Sequence, residues 1–155
     1  MISANYIVGL TDGEGCFYVN IRNRKSSWSP KVETHFYIKL RADNKDLLDA
    51  INRYFGCGSV YYQKETRPNH NPCYRFEINS QRDILSTVIP FFERYPLKGT
   101  KSKDFEIFRN IALAVNRGEH KTAEGYQNIV NMKLQMRNHR TRWMRENRSS
   151  SGDAK

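Results

Sequence analysis

Four stretches of alternating side chains constrain the fold of this chain more than any other feature. They cover residues 16–24, 32–41, 59–64 and 73–79, and in each one most residues at alternate positions are apolar or aromatic. A period of two predicts half-buried β-strands, because successive side chains of a strand point to opposite faces. A sheet with one apolar face needs helices to cover that face. The pattern therefore predicts an antiparallel sheet with helices on one side.

Segments with a helical period precede, separate and follow these strands. The first predicted helix begins after Ser3, a candidate N-cap, and runs to about Asp12. The second is capped by Asp43 or Asn44 and ends at Gly56. Further helices are predicted over residues 82–94, 102–116 and 122–136. The element order is helix, two strands, helix, two strands, then helices, which is an α+β fold class.

The length of the chain, 155 residues, suits one domain with a proper core. We expect the domain to cover residues 1–140, and residues 141–155 to form a basic tail that frays or binds only against a partner. Three cysteines without a CxxC pair predict neither a disulfide framework nor a zinc ribbon. The four histidines, His35, His70, His120 and His139, show no metal-ligand spacing. No apolar run reaches the length of a membrane span, so we expect no membrane partner.

Charge and aromatic content favour a nucleic-acid partner. Lys and Arg number 26 against 16 Asp and Glu, which gives a formal net charge of +10. The sequence pI is near 9.7, and 12% of the residues are aromatic. Basic patches interleaved with aromatic side chains are typical of proteins that bind nucleic acids. A basic soluble protein with a solvated charged face remains the alternative.

The polar faces of the predicted strands carry side chains suited to base edges and phosphates. These candidate DNA-binding residues are Tyr18, Asn20, Arg22, Arg24, His35, Tyr37, Lys39, Arg41, Tyr61, Gln63, Arg75 and Glu77. Two-stranded β-ribbons fit into the major groove, where each base pair presents its own pattern of donors and acceptors. A solvated polar face is again the alternative.

The first helix ends in acid, at the end of the sequence YIVGLTDGEG over residues 6–15. Gly9 and Gly13 lie four residues apart on one side of the helix, where they would allow a second helix to approach closely. Asp12 and Glu14 lie at the helix C-terminus, whose partial negative charge disfavours them. A divalent cation would compensate, and carboxylate oxygens suit Mg²⁺. A surface turn with two solvated acids is the simpler alternative.

The sequence IVGLTDGEG at residues 7–15 resembles the LAGLIDADG motif of homing endonucleases. Gly9, Asp12 and Gly15 match the motif, Leu10 fits it, and Glu14 stands at its second acidic position. The sequences FYIKLRADNKDLLDAINRYFGCGSV and YPLKGTKSKDFEIF, together with residues 123–138, are similar to later parts of the same family. The resemblance covers nearly the whole chain. It implies the family's αββαββα fold, in which an antiparallel β-saddle carries helices on one face.

The resemblance also implies roles for individual residues. Glu14 would be the catalytic residue that ligates Mg²⁺, and the carbonyl of Gly13 is a further candidate ligand, whereas Asp12 would shape the helix end. Lys98 and Lys101 lie in the matching basic turn, and both are candidates for the active-site lysine. Some members of the family have a glutamine near the end of the second strand, where this chain has Leu40.

A single copy of the motif implies a homodimer, because members with two copies are pseudo-symmetric monomers. The interface would then include Gly9, Gly13 and Asp12. The implied activity is site-specific cleavage of both strands of DNA, as in intron homing, at a long pseudo-palindromic target. An RNA-splicing maturase, which would bind RNA, and an inactive DNA-binding protein on the same scaffold are the alternatives. We expect an intracellular protein, either of an organelle (chloroplast or mitochondrion) or of a prokaryotic cytoplasm.

Overall fold

The structure is a computed structural model that describes residues 1–22 and 30–148, with side chains described as far as Met136. Its helices and strands follow the predicted order. In chain order they are α1 Ala4–Glu14, β1 Gly15–Arg22, β2 Lys31–Arg41, α2 Lys45–Phe55, β3 Ser59–Gln63, β4 Cys73–Ile78, α3 Gln81–Asp83, α4 Ile89–Arg94, α5 Lys101–Asn116 and α6 Ala123–Arg148.

The four strands form one antiparallel sheet in the order β1-β2-β4-β3. The two hairpins are staggered, since β1 pairs with the first part of β2 and β4 pairs with the last part of β2. One row of the polar face crosses all four strands, and it consists of Cys16, Tyr37, Glu77 and Ser59. This sheet, with helices packed on its apolar side, confirms the predicted α+β class.

Aromatic side chains form the centre of the core between the sheet and the helices. The ring of Phe17 on β1 lies 5.2 to 5.4 Å, between centroids, from the rings of Phe36, Phe92, Phe105 and Phe108. Phe17 is 2% exposed, and Phe36 and Phe108 are fully buried. Aromatic pairs in tilted and edge-to-face arrangements add about 0.5–1.5 kcal/mol each beyond the burial of their area. This cluster therefore stabilises the packing of the helices against the apolar side of the sheet, opposite the polar face.

The region predicted as one helix over residues 82–94 is divided. A five-residue π-helical turn, Ile84–Val88, separates α3 from α4, and Pro90 follows it within the first turn of α4. Proline has no N–H to donate, and its ring clashes with the carbonyl four residues earlier, so a regular helix cannot pass through this position. The helix predicted over residues 82–94 is present, and its middle turn is π-helical rather than α-helical.

Two helix ends also differ from the prediction. Asn44 precedes α2, but its side chain donates to the Asp43 carboxylate at 3.0 Å rather than capping the helix. The last helix, α6, continues to Arg148, so its expected end near Met136 was wrong. Residues 149–155 of the predicted tail lie outside the described residues. Within the described ranges, no helix combines the length and the apolar character needed to cross a membrane.

Candidate functional site

The acidic end of α1 lies where the helix turns directly into β1. Ser3 caps the start of α1, since its Oγ accepts a hydrogen bond from the Tyr6 N–H at 3.2 Å. At the other end the Gly15 N–H donates to the carbonyl of Thr11. A Cβ at position 15 would lie 2.6 Å from Thr11 Cγ2 and 2.9 Å from its carbonyl oxygen. Only glycine fits this close approach, and that explains the last residue of the motif.

Glu14 is the final residue of α1, and its side chain is exposed. Among the residues that the structure describes, none donates a hydrogen bond to its carboxylate. The carbonyls of the last four residues of an α-helix have no intrahelical donor, and those of Gly13 and Glu14 belong to this group. The chain therefore presents an unpaired carboxylate beside backbone oxygens at the negative end of a helix dipole. This set of hard oxygen donors suits a divalent cation.

Asp12 has a different partner from Glu14. Its two carboxylate oxygens accept hydrogen bonds from the backbone N–H groups of Lys98, at 2.8 Å, and Gly99, at 3.1 Å. These bonds join the end of α1 to the turn before α5. The role expected for Asp12, to shape the helix end, is consistent with this geometry, and its place at a dimer interface stays a prediction.

The two candidate lysines differ in how they meet α1. The ammonium of Lys101 donates to the Thr11 carbonyl at 3.0 Å, and the side chain is partly buried. Lys98 contacts the helix end through its backbone N–H, and it is an exposed residue. A cation at the C-terminus of a helix is favoured by the dipole. Of the two side chains, Lys101 is the one that the structure fixes beside the acidic end.

The outer face of α1 is open. Gly9 and Gly13 are exposed, and a Cβ at either position would meet no atom within 4 Å. Tyr6 lies on the same side and is 49% exposed. Neither glycine is required by the packing of this chain, although glycine inside a helix costs about 1 kcal/mol relative to alanine.

The polar face of the sheet contains the predicted DNA-binding residues. Their alternation is confirmed for those that the structure describes, because the strand register places these on the side away from the core. Arg24 lies outside the described residues. Leu40 faces the helices and packs against the core, whereas its neighbour Lys39 lies opposite Arg75 on the polar face.

A hydrogen-bonded cluster lies in the middle of this face and centres on Glu77, which is 8% exposed. Its Oε1 lies 2.6 Å from Nδ1 of His35, and its Oε2 accepts a hydrogen bond from the hydroxyl of Tyr61. Arg75 Nη1 lies 4.0 Å from the same Oε2. The guanidinium of Arg75 also stacks 3.9 Å above the centroid of the Tyr37 ring.

Burial keeps the two tyrosines of this cluster neutral. The pKa of Tyr37 is raised to about 12, mainly by burial and next by a hydrogen bond with Cys16. The pKa of Tyr61 is also raised, mainly by burial and next by the hydrogen bond to Glu77. Both side chains are therefore phenols, and each has a single hydrogen to donate.

A second cluster on this face centres on the carboxylate of Glu33 and lies near the end of β1. Glu33 pairs with Lys31 at 2.7 Å and Arg22 at 3.4 Å, and it accepts a hydrogen bond from Asn20 at 3.2 Å. The pKa of Glu33 is lowered, chiefly by the hydrogen bond from Lys31. Arg22 and Asn20 were predicted to contact DNA, and both are held by this carboxylate in the free protein.

Sequence reasoning left some members of this face out of the candidate set. Lys31, Glu33, Ser59 and Cys73 share the face with the predicted residues. The parity of the alternation would have found them, since each lies an even number of positions from a predicted neighbour on the same strand. The hydrogen bonds from the Lys98 and Gly99 backbone to Asp12 could not have been predicted, because no local sequence pattern indicates them.

No cluster of three or more metal-ligating side chains occurs among the described residues. The acidic end of α1 can supply one carboxylate and backbone carbonyls, so a complete metal shell would need oxygen atoms from DNA or a second chain. The donors that are present fit a hard divalent cation, and they do not fit zinc, which takes mainly Cys and His.

Comparison with known proteins identifies relatives of this chain. The sequence profile of the LAGLIDADG endonuclease family matches residues 7–112. A probable intron-encoded endonuclease 3 of Neurospora crassa is 32% identical over 132 residues, which covers 83% of this chain and 23% of that protein. The chain spans about a quarter of the length of the Neurospora crassa relatives that it matches.

Solved structures agree with this result. The homing endonuclease I-TnaI superposes with a TM-score of 0.76 at 35% identity, over 87% of this chain and 88% of that one. The meganuclease I-SmaMI, bound to uncleaveable DNA, superposes with a TM-score of 0.79 at 27% identity, over 86% of this chain and 44% of that one. The motif at residues 7–15, the four-stranded sheet and these matches lead to one conclusion: the chain belongs to the LAGLIDADG endonuclease family.

Proposed function

We propose that this protein is a site-specific DNA endonuclease that works as a homodimer and hydrolyses both strands of a long pseudo-palindromic target with Mg²⁺. The observation that carries the proposal is the acidic end of α1, where the exposed Glu14 ends the helix, Lys101 donates to the Thr11 carbonyl of its last turn, and the sheet begins at the next residue. Family membership supports the reaction class, and I-SmaMI has been seen bound to DNA, including an uncleaved target in the presence of calcium ions.

The polar sheet face supports a DNA partner by its chemistry. Tyr37, Lys39, Arg41 and Arg75 lie together in the half of the sheet formed by β2 and β4. Arginine and lysine reach guanine edges and phosphates, and a two-stranded ribbon fits the major groove. With a net charge of +10, the protein is attracted to the phosphate backbone in a salt-dependent way.

Hydrolysis would take place at the end of α1. The metal supplies a polarised water or stabilises the leaving oxygen when it is bound. Glu14, together with the carbonyl of Gly13, would hold that metal against the scissile phosphate. Lys101 would place a positive charge beside the phosphate, where negative charge develops during hydrolysis. Asp12 would hold the turn that carries this lysine.

The homodimer is supported by the open face of α1 and by the lengths of the relatives. A Cβ at Gly9 or Gly13 would meet no atom of the described residues, and the two glycines would allow two copies of α1 to cross closely. The chain aligns with 88% of I-TnaI but with 44% of I-SmaMI, which is close to half. Two copies related by a two-fold axis would place two Glu14 carboxylates near that axis, one for each DNA strand.

A selection from a randomised duplex library tests the proposal. The protein is incubated with the library and Mg²⁺, and the cleaved molecules are sequenced. We expect one long pseudo-palindromic site cut on both strands, and no cutting in EDTA. Binding of a site without cleavage would favour the inactive DNA-binding protein, and binding to intron RNA alone would favour the maturase.

A further inference from the structure

We propose that Glu77 acts as a positioning residue that makes Tyr61 a hydrogen-bond acceptor toward DNA, so that Tyr61 accepts from adenine N6 or cytosine N4 on the strand that it faces. This inference rests on the proposed binding of DNA to the polar sheet face. It differs from the direct contact with DNA expected for Glu77 from the sequence.

The position of Glu77 argues against direct contact with DNA. Glu77 lies on β4 in the row that crosses all four strands, and it is 8% exposed. Tyr61, its diagonal neighbour on β3, is 36% exposed. Diagonal neighbours on one face of a sheet are close enough for long side chains to meet. Tyr61 is therefore more accessible to a partner than the carboxylate that it contacts.

Both oxygens of Glu77 already have partners. Oε2 accepts from the Tyr61 hydroxyl, and Oε1 lies 2.6 Å from Nδ1 of His35. In this proposal Glu77 is the acceptor in both contacts, which puts the hydrogens of this cluster on Tyr61 and on Nδ1 of His35. A base edge would have to displace one of these partners to reach Glu77, and that would leave a buried polar group unpaired, which is unfavourable.

Tyr61 donates its only hydroxyl hydrogen to Glu77, and this determines whether it can donate to or accept from a ligand. A phenol has one hydrogen to donate and oxygen lone pairs to accept with. With that hydrogen on Glu77, the Tyr61 oxygen can only accept. In the major groove the bases that donate are adenine, through N6, and cytosine, through N4. Guanine and thymine present acceptors that the Tyr61 oxygen repels.

The first test compares binding preferences of four proteins on a randomised duplex library, with Ca²⁺ in place of Mg²⁺. Tyr61→Phe identifies the base pair that Tyr61 reads. We expect the wild type to prefer one orientation of the base pair there, with adenine or cytosine on the strand that Tyr61 faces, and Glu77→Ala to lose up to about tenfold of that preference, the value of one hydrogen bond. The matched control is Glu33→Ala, which also removes one carboxylate from the same face and should keep the preference.

Three results of this comparison would overturn the proposal. One is a Tyr61→Phe protein that keeps the wild-type preference at every base pair, which would mean that Tyr61 reads no base. A second is an unchanged preference in a folded Glu77→Ala protein. The third is a loss in Glu77→Ala confined to a base pair that Tyr61→Phe leaves unaffected, which would mean that Glu77 contacts DNA itself.

A second test needs no DNA and therefore separates this inference from the proposed function. The ¹⁵N shifts of the His35 ring in the free protein report which nitrogen carries the hydrogen, and we expect it on Nδ1. An unprotonated Nδ1 would overturn the proposal whether or not the protein binds DNA.

Glu77→Gln preserves size and extends the same test to a variant expected to fold. An amide offers one acceptor where a carboxylate offers two. The substitution must therefore change either the proton on His35 or the base preference at the Tyr61 position. If neither changes, Glu77 does not control these hydrogens.

Discussion

At the scale of single residues, Glu14 and Asp12 separate two roles that the sequence places side by side. Both are acids at the end of α1, but Asp12 accepts two backbone hydrogen bonds from another segment and Glu14 accepts none from the described residues. One carboxylate is committed to the fold and the other is available for chemistry. Substitutions at the two positions should therefore have different signatures.

Glu14→Gln should abolish cleavage and preserve binding. The amide keeps the size of the side chain but loses the charge that holds a divalent metal. Substitution of groups that only orient metal ligands costs 10–100-fold, so we expect a loss greater than about 100-fold in cleavage rate. Plasmid cleavage in Mg²⁺ and gel shifts in Ca²⁺ measure the two properties. Glu106→Gln, at an exposed position of α5, is the matched control, and normal cutting by Glu14→Gln would refute its assignment.

The two candidate lysines should also differ. Lys101→Met removes the ammonium beside the Thr11 carbonyl, and we expect cleavage to fall by about 10-fold or more, within the range of a group that stabilises developing charge. Lys98→Met should cleave within about 2-fold of the wild type, since that residue meets α1 through its backbone. Single-turnover rates decide between them. Equal losses in both variants would mean that neither side chain is specific to the site.

At the scale of elements, the link between α1 and the turn before α5 holds the site together. Asp12→Ala removes both hydrogen bonds to the Lys98 and Gly99 backbone. Bonds to charged groups contribute about 1.5–3 kcal/mol each when buried, and these are exposed, so we expect about 1–2 kcal/mol in total. Urea denaturation should show this loss in Asp12→Ala and not in Glu14→Gln. Equal stability of the two variants would contradict the structural role of Asp12.

Substitution of Gly9 on the outer face of α1 should have opposite effects on the stability of the monomer and on dimer formation. Gly9→Ala fills open space in one chain and should stabilise the monomer by roughly 0.8–1 kcal/mol through helix propensity. The same methyl group would separate two crossing helices and weaken the dimer. Denaturation at low concentration and light scattering at high concentration measure the two effects.

The control for helix propensity is Asn110→Ala, at an exposed position of α5. It should stabilise the protein without changing the association state. If Gly9→Ala behaves like this control, the outer face of α1 is not a contact between copies.

At the scale of the whole molecule, two-fold symmetry determines the form of the target. A dimer that pairs two copies of α1 at its axis should require two half-sites about one helical turn apart on one side of the duplex. Insertion of five base pairs at the centre turns one half-site to the opposite side, and we expect cleavage to fall by at least about 100-fold. Palindromes built from either half-site should both be cut. Double-strand cleavage by a protein that light scattering shows to be strictly monomeric would contradict the dimer.

The sequence alone determined which residues share a face and where α1 ends. Alternation is a local, repeated signal, so the parity of residues such as Tyr18, Tyr37 and Arg75 followed without knowledge of the fold. The α+β class followed in the same way, because strands with one apolar face require a covering layer. The family motif identified Glu14 as the candidate ligand, although its metal and its partner chain stay predictions.

Only the tertiary structure decided how these residues are used. Lys101 and Thr11 are 90 positions apart, and no local pattern distinguishes that lysine from Lys98. The partners of Asp12 and the burial of Glu77 likewise depend on contacts between elements distant in sequence. Side-chain identity and spacing specify which face a residue occupies, but hydrogen-bond partners depend on how the elements pack in three dimensions. For that reason the face was predictable, whereas the division between positioning and contacting residues was not.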